Sequence, residues 1–349
     1  MNYLAPNNVQ SSTSQYLLNT WKNRYVATVQ TIATNPTNSR KYPLEFVASQ
    51  AGRKRTLEKL PDKLIKSACH NAAARTKRLY LDHQYLKFND TVDLSKFTLK
   101  TIPVLLNCYQ QQAPLVINPD NGAADNASEL QFGISDVSTL ANHLGNCFTE
   151  FEAQHSTSKD WLVQCFLTSQ ISLASTSLLA ALDPVEQTML GPYFNLLEEY
   201  VSIPWWRLCL SADRFDRLSP HYKLVEKLLA RTSEISLTVY RRWSQQFDIY
   251  SSTRGTLSDL KIRRSSLRDF DMFQVYLWLS LLQGNLNVIE TELVPFCTYI
   301  YKGIGIPWQM TVAGTQLLLE EILMRLRADE KAIAVNYIQG MMQAFQAAA

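Results

Sequence analysis

The residues that could do chemistry in this chain are mostly cations. Between Arg40 and Lys87 the sequence carries twelve lysines and arginines, and part of that run falls on one helical face. Winding the chain from Pro61 to Tyr80 at about 100° per residue gathers Leu64, Ile65, Ala68, Cys69, Ala72, Leu79 and Tyr80 on one side. Lys63, Lys66, His70 and Lys77 fall together on the opposite side, with Arg78 beside them. Arg53, Lys54 and Arg55 precede this helix. Cations stacked along one face can grip carboxylates or phosphates by charge. The expected partner is an acidic protein. Nucleic acid is a weaker alternative, because no aromatic residues interleave with the cations to stack on bases. An anionic membrane surface is another alternative. A second basic cluster, Lys261, Arg263, Arg264 and Arg268, surrounds Ser265 and Ser266 and reads as the flank of a helix start.

Catalytic and metal chemistry is thin. Glu152 and His155 form a single ExxH, whereas a carboxylate-bridged dimetal bundle needs two such motifs and two further glutamates. The other histidines, His70, His83, His143 and His221, show no ligand spacing. Glu198-Glu199 and Glu320-Glu321 are adjacent acids on helices, so one of each pair turns away. Asp213, Asp216, Asp269 and Asp271 alternate with arginines, as local ion pairs do. There is no phosphate-binding loop, and Gly303-Ile304-Gly305 runs into Ile306-Pro307. No GxSxG elbow exists. The sequence therefore assigns no catalytic residue, no metal site and no cofactor, and favours a non-enzyme.

The second chemical feature is aromatic. Ile203-Pro204-Trp205 and Ile306-Pro307-Trp308 repeat one triplet. Proline after an apolar residue stops one helix and starts the next, which puts the tryptophan on the new first turn. Trp205, Trp206 and Trp308 could line an apolar pocket between two repeats, which makes a helical enzyme or a carrier of an apolar small molecule the alternative function.

These triplets belong to a wider pattern. A shift of 103 residues superimposes Val185, Thr188, Leu190 and Pro192 on Val288, Thr291, Leu293 and Pro295, as well as the two triplets. Upstream, Ser177-Leu178-Leu179 meets Ser280-Leu281-Leu282. This suggests an internal duplication of a helical unit of about 100 residues. The expected organisation is a basic helical region over 1–111, a linker over 112–131 rich in Pro, Asn, Asp and Gly, a connecting helix over 132–158, and repeats over 159–255 and 256–349.

The elements that must position these residues read as helices throughout, so the predicted fold is an all-α multi-helix bundle. Helix starts are signalled at Ser12, at Asp183-Pro184-Val185-Glu186, at Ser219-Pro220 and at Ser266 with Asp269. The Ser219 signal opens one long run to about Gln246. Three uncharged runs, Trp161–Leu182, Met272–Ile289 and Gly303–Leu319, approach spanning length but are studded with polar groups, as buried bundle helices are.

Composition adds bounds. The chain has 349 residues, 46% hydrophobic and 19% charged, with a net charge of +3. Residues 1–100 carry 16 Lys/Arg and 6 Asp/Glu, whereas the rest carries 18 and 25. That split points to an anionic partner for the first part, or to docking of one part on the other. The six cysteines are scattered, none in a CxxC pair, and read as reduced buried thiols. With polar first residues and no export leader, the expected location is the cytoplasm.

Overall fold

The computed structural model describes residues 12–33, 41–79, 88–112, a few positions between 139 and 147, 160–252 and 255–348. Much of the predicted linker and connecting helix, including Glu152 and His155, lies outside the described residues. The fold is all-α, as expected. The described strands are two-residue pieces, β1 (Ser251–Ser252) and β2 (Gly255–Thr256), which form one antiparallel ribbon.

The chain divides into two compact units, one of Met1–Asn7 with Trp21–Val201, the other of Asn8–Thr20 with Ser202–Ala349. Residues 159–255, the first predicted repeat, are shared between these two units. The reason is packing. The helix Asp160–Leu179 packs on helices of the amino-terminal half, whereas Trp205–Ala212 packs on a helix of the carboxy-terminal half.

Helix α1 (Ser12–Ala33) is divided between the units after Thr20, and its part in the first unit contributes Trp21 and Tyr25, both buried. Then come α2 (Lys41–Ala48), α3 (Gln50–Glu58), α4 (Asp62–Leu79), α5 (Phe88–Gln111), α6 (Asp160–Leu179) and α7 (Pro184–Ser202). Ser49 caps α3, its hydroxyl accepting from the Gly52 amide at 3.2 Å, which satisfies one of the orphan donors of a helix start. Gly52 is required there, because a Cβ would stand 2.0 Å from the Phe46 carbonyl oxygen. Helix α4 lies mainly against α6 and also against α5. It buries Ile65, Ala68, Cys69, Ala72 and Thr76, a spacing of three and four that makes one apolar stripe. The predicted start of α7 is observed. Pro184 opens it, and the Asp183 amide donates to Glu186 Oε2 at 2.9 Å.

In the second unit, α8 (Trp205–Ala212), α9 (Pro220–Leu229) and α10 (Thr232–Gln246) lead into the ribbon. After it come α11 (Leu260–Gln283), a π-turn (Ile289–Leu293), α12 (Val294–Gly303), α13 (Trp308–Met324) and α14 (Ala328–Ala347). Three expectations change. The run from Ser219 breaks at Ala230-Arg231 into α9 and α10. Helix α11 starts six residues before Ser266, at Leu260, so Ser266 sits inside it. The uncharged run Met272–Ile289 is cut by Gly284, whose φ of 72° closes α11 in the left-handed conformation that glycine adopts without steric cost.

Every residue of α11 from Phe270 to Leu282 is buried, because α8, α9, α10, α13, α14 and the π-turn all pack on it. That accounts for the absence of charge and of one-sided patterning from Met272 to Leu282, while the buried Asp271 accepts from the Ser236 hydroxyl at 2.6 Å. Among the described residues no helix is long and apolar enough to cross a membrane.

Helix α14 is fastened at its start by Glu330. The Arg327 amide donates to Glu330 Oε2 at 2.9 Å, and Lys227 Nζ donates to its two oxygens at 2.9 and 2.7 Å. Burial pushes this carboxyl up, but the bonds from Lys227 and Arg327 outweigh it and hold it below the usual carboxylate range. A depressed carboxyl stabilises the fold above its unfolded value, and that contribution fades as pH falls through the folded one. Glu330→Gln is therefore expected to cost about 1–3 kcal/mol at neutral pH. The gap to wild type should hold from neutral pH down to about 5 and narrow only as the pH falls further, through the depressed folded value. Urea unfolding at several pH values measures this, and a pH-independent gap would contradict it.

Candidate functional sites

The predicted basic surface separates into two populations. Arg53 leaves it, being 0% exposed. Its Nε donates to the Ala48 carbonyl at 2.9 Å, and its Nη1 donates to the Tyr109 carbonyl at 2.5 Å and the Tyr193 hydroxyl at 3.2 Å. The guanidinium also lies 4.6 Å from the centre of the Tyr109 ring. Tyr193 passes the chain on, donating to Gln112 Oε1 at 3.2 Å. Arg53 is thus a core cation joining α2, α3, α5 and α7.

The remaining cations stand outward. Lys54 and Arg55 on α3 are exposed, as are Lys63, Lys66, His70, Lys77 and Arg78 on α4. The steps from 63 to 66, 70 and 77 keep four of them within about 60° of one another. Lys59, between the two helices, is committed internally. It pairs with Asp183 at 2.7 Å and Glu186 at 2.8 Å. The hydrogen bonds that the Lys59 ammonium donates to Asp183 and then to Glu186 raise it above its ordinary value. Among the described residues, Lys63 and Lys66 have no such carboxylate partner. This face offers several positive charges at fixed spacing, which suits contact with carboxylates or phosphates.

The aromatic prediction is corrected. Trp205 and Trp206 are buried in α8, at 0% and 4% exposure, and act as packing groups. Trp308 is half-buried at the start of α13. It stacks on Phe345, with centroids 5.7 Å apart and planes 6° apart, and its Nε1 donates to the Phe345 carbonyl at 3.0 Å. None of the three lines the recess of the second unit, whose walls include Trp243, Phe270, Phe273 and Met310.

That recess is assembled from α10, α11, α12 and α13. Trp243 meets Phe270 edge-on at 5.8 Å, and its Nε1 donates to the Met310 carbonyl at 2.8 Å. A Cβ on Gly314 would come within 3.2 Å of both rings, so a side chain there would press on them. At the polar side, Tyr301 donates to Asp269 Oδ2 at 3.0 Å, and Arg268 pairs with Asp269 at 3.3 Å. Burial, then the Asp269 charge, pushes the Tyr301 phenol up. The Cys297 thiol is pushed up in the same way, which keeps it protonated and unreactive. The recess has a volume of about 40 Å³, room for a few waters or the edge of one ring. Sequence spacing could not assemble it, since its residues are spread from 243 to 314. The one local signal was Asp269-Phe270 followed by Phe273.

Among the described residues no cluster of histidine, cysteine, aspartate or glutamate could hold a metal ion. The six cysteines are buried free thiols.

A family model described as "Phycobilisome protein" matches residues 212–345. The match lies within the second unit and includes the recess. No curated protein and no solved structure matches the chain.

Proposed function

We propose that this protein is a non-catalytic helical adaptor, which uses the exposed cation face of α4 with Lys54 and Arg55 to hold an acidic protein partner. The observation that carries this reading is the one-sidedness of α4. Ile65, Ala68, Cys69 and Ala72 are buried, while Lys63, Lys66, His70 and Lys77 are exposed on the opposite side. The second unit supports the same reading. It is similar to phycobilisome proteins over residues 212–345, which agrees with a place in an assembly. The internal duplication belongs to this reading, and so does a cytoplasmic location, with which six free buried thiols agree.

The test is charge reversal. Lys63→Glu, Lys66→Glu and Lys77→Glu are combined, and the tagged protein is used to capture partners from its native extract at low and at moderate salt. A defined acidic partner held by wild type should be lost from the variant, and lost from wild type as salt rises. All three side chains are exposed, so the melting temperature should hold. An unchanged set of associated proteins would remove this surface from the proposal.

The recess favours a second reading, a carrier of a small planar molecule held between aromatic walls with a polar group against Asp269. Its small volume ranks it second, because a whole ligand enters only if the walls move. Trp243 fluorescence reports it, since an occupant would change emission in wild type and not in a Gly314→Leu variant.

A further inference from the structure

Ile249 and Leu260 are the most exposed large apolar side chains among the described residues, at 96% and 79%. They flank the β1–β2 ribbon, whose register pairs Ser251 with Thr256 and Ser252 with Gly255. Ile249 precedes one strand by two residues, and Leu260 follows the other by four. The ribbon's base is tied down. Tyr250 donates to the Gly305 carbonyl at 2.6 Å, Tyr240 donates to the Leu257 carbonyl, and the Thr256 amide donates to Asp259 Oδ2 at 2.8 Å. The aliphatic groups are therefore displayed from a fixed support.

Charge surrounds them. Residues 241–264 contain six Lys/Arg against Asp248 and Asp259, and Arg241, Lys261, Arg263 and Arg264 are exposed. Two aliphatic points beside a ribbon, with exposed cations near them in the chain, combine the two attractions of a peripheral membrane contact. The apolar groups enter the acyl boundary, and the cations face anionic headgroups. A fluid layer receives separate points without a matching pocket, whereas a folded protein partner would have to supply one for each.

We infer that the ribbon of the second unit, with Ile249 and Leu260 as insertion points and Lys261 and Arg263 as headgroup contacts, docks the protein on an anionic lipid surface. This site shares no residue with the α4 face, so the two proposals fail separately.

Vesicle flotation of the full chain tests it, using phosphatidylcholine vesicles with and without phosphatidylglycerol. Wild type should float with the anionic vesicles at low salt, release at about 0.5 M salt, and stay behind with neutral ones. Ile249→Ser with Leu260→Ser should weaken binding at least about tenfold, as should Lys261→Glu with Arg263→Glu. Circular dichroism and the melting temperature should be unchanged in both. Lys63→Glu with Lys66→Glu should float like wild type. The inference is overturned if wild type does not float, or if the serine variant floats equally well. It is also overturned if only the α4 variant fails to float, or if these side chains prove to be needed for an acidic protein and not for vesicles.

Discussion

Replacing Arg53 with methionine is expected to destabilise the first unit by about 3–5 kcal/mol, although it removes a charge that sequence places in a solvated basic run. Methionine fills most of the arginine's stem volume but supplies no donors. The carbonyls of Ala48 and Tyr109 and the hydroxyl of Tyr193 then lose the group that satisfies them in a water-excluded site. Each such loss costs about 1–3 kcal/mol, and they overlap because one side chain makes all three. The ring contact with Tyr109 goes as well. Lysine should recover only part of the loss, because one ammonium cannot reach three acceptors held for a planar fork. Urea unfolding of the full chain, followed at the transition that exposes buried Trp21, measures this. A wild-type midpoint for Arg53→Met would refute the network. The same variant separates core from surface: under conditions where it is folded, it should still hold whatever the α4 face holds, since Arg53 does not reach that surface.

The contrast between Arg53 and its neighbours shows what the sequence could not say. Arg53, Lys54 and Arg55 are indistinguishable as a string of cations. On a helix they point in three directions about 100° apart, and which one faces inward depends on how closely α3 meets α2 at Gly52. By contrast, α4 was legible because the eighteen residues after Pro61 repeat one apolar spacing, and the far side of such a helix follows from geometry alone. The start of α7 was legible for a local reason, since an acid, a proline and a second acid act on neighbouring backbone groups. The long buried stretch of α11 read correctly as a core helix, but its first six residues did not. Ser266 with Asp269 imitates a capping pair, while the helix had begun at Leu260. The recess was out of reach altogether, because Trp243, Asp269, Tyr301 and Met310 meet only after four helices have packed.

The two Ile-Pro-Trp triplets set the other large expected effect, and it is unequal. Trp205 and Trp308 each open a helix one residue after proline, so sequence alone assigns them equal weight. Their surroundings differ. Trp205 is 0% exposed in a short helix packed on α11. Alanine there should leave a cavity around the most heavily packed helix of the unit and cost about 3–5 kcal/mol. Trp308 is half-buried, and what it loses is chiefly a stacked contact with Phe345 and one hydrogen bond to that residue's carbonyl. Trp308→Ala should cost about 1–3 kcal/mol, and Trp308→Phe should recover the stacking share of that. Chemical unfolding of the three variants decides the matter. Equal losses at the two positions would mean that Trp308 is buried as deeply as Trp205. The predicted inequality would mean that one triplet, placed twice, marks a helix corner in both places and a core anchor in only one. The difference would then come from what packs on the corner: α11 behind Trp205, and a single aromatic side chain of α14 beside Trp308.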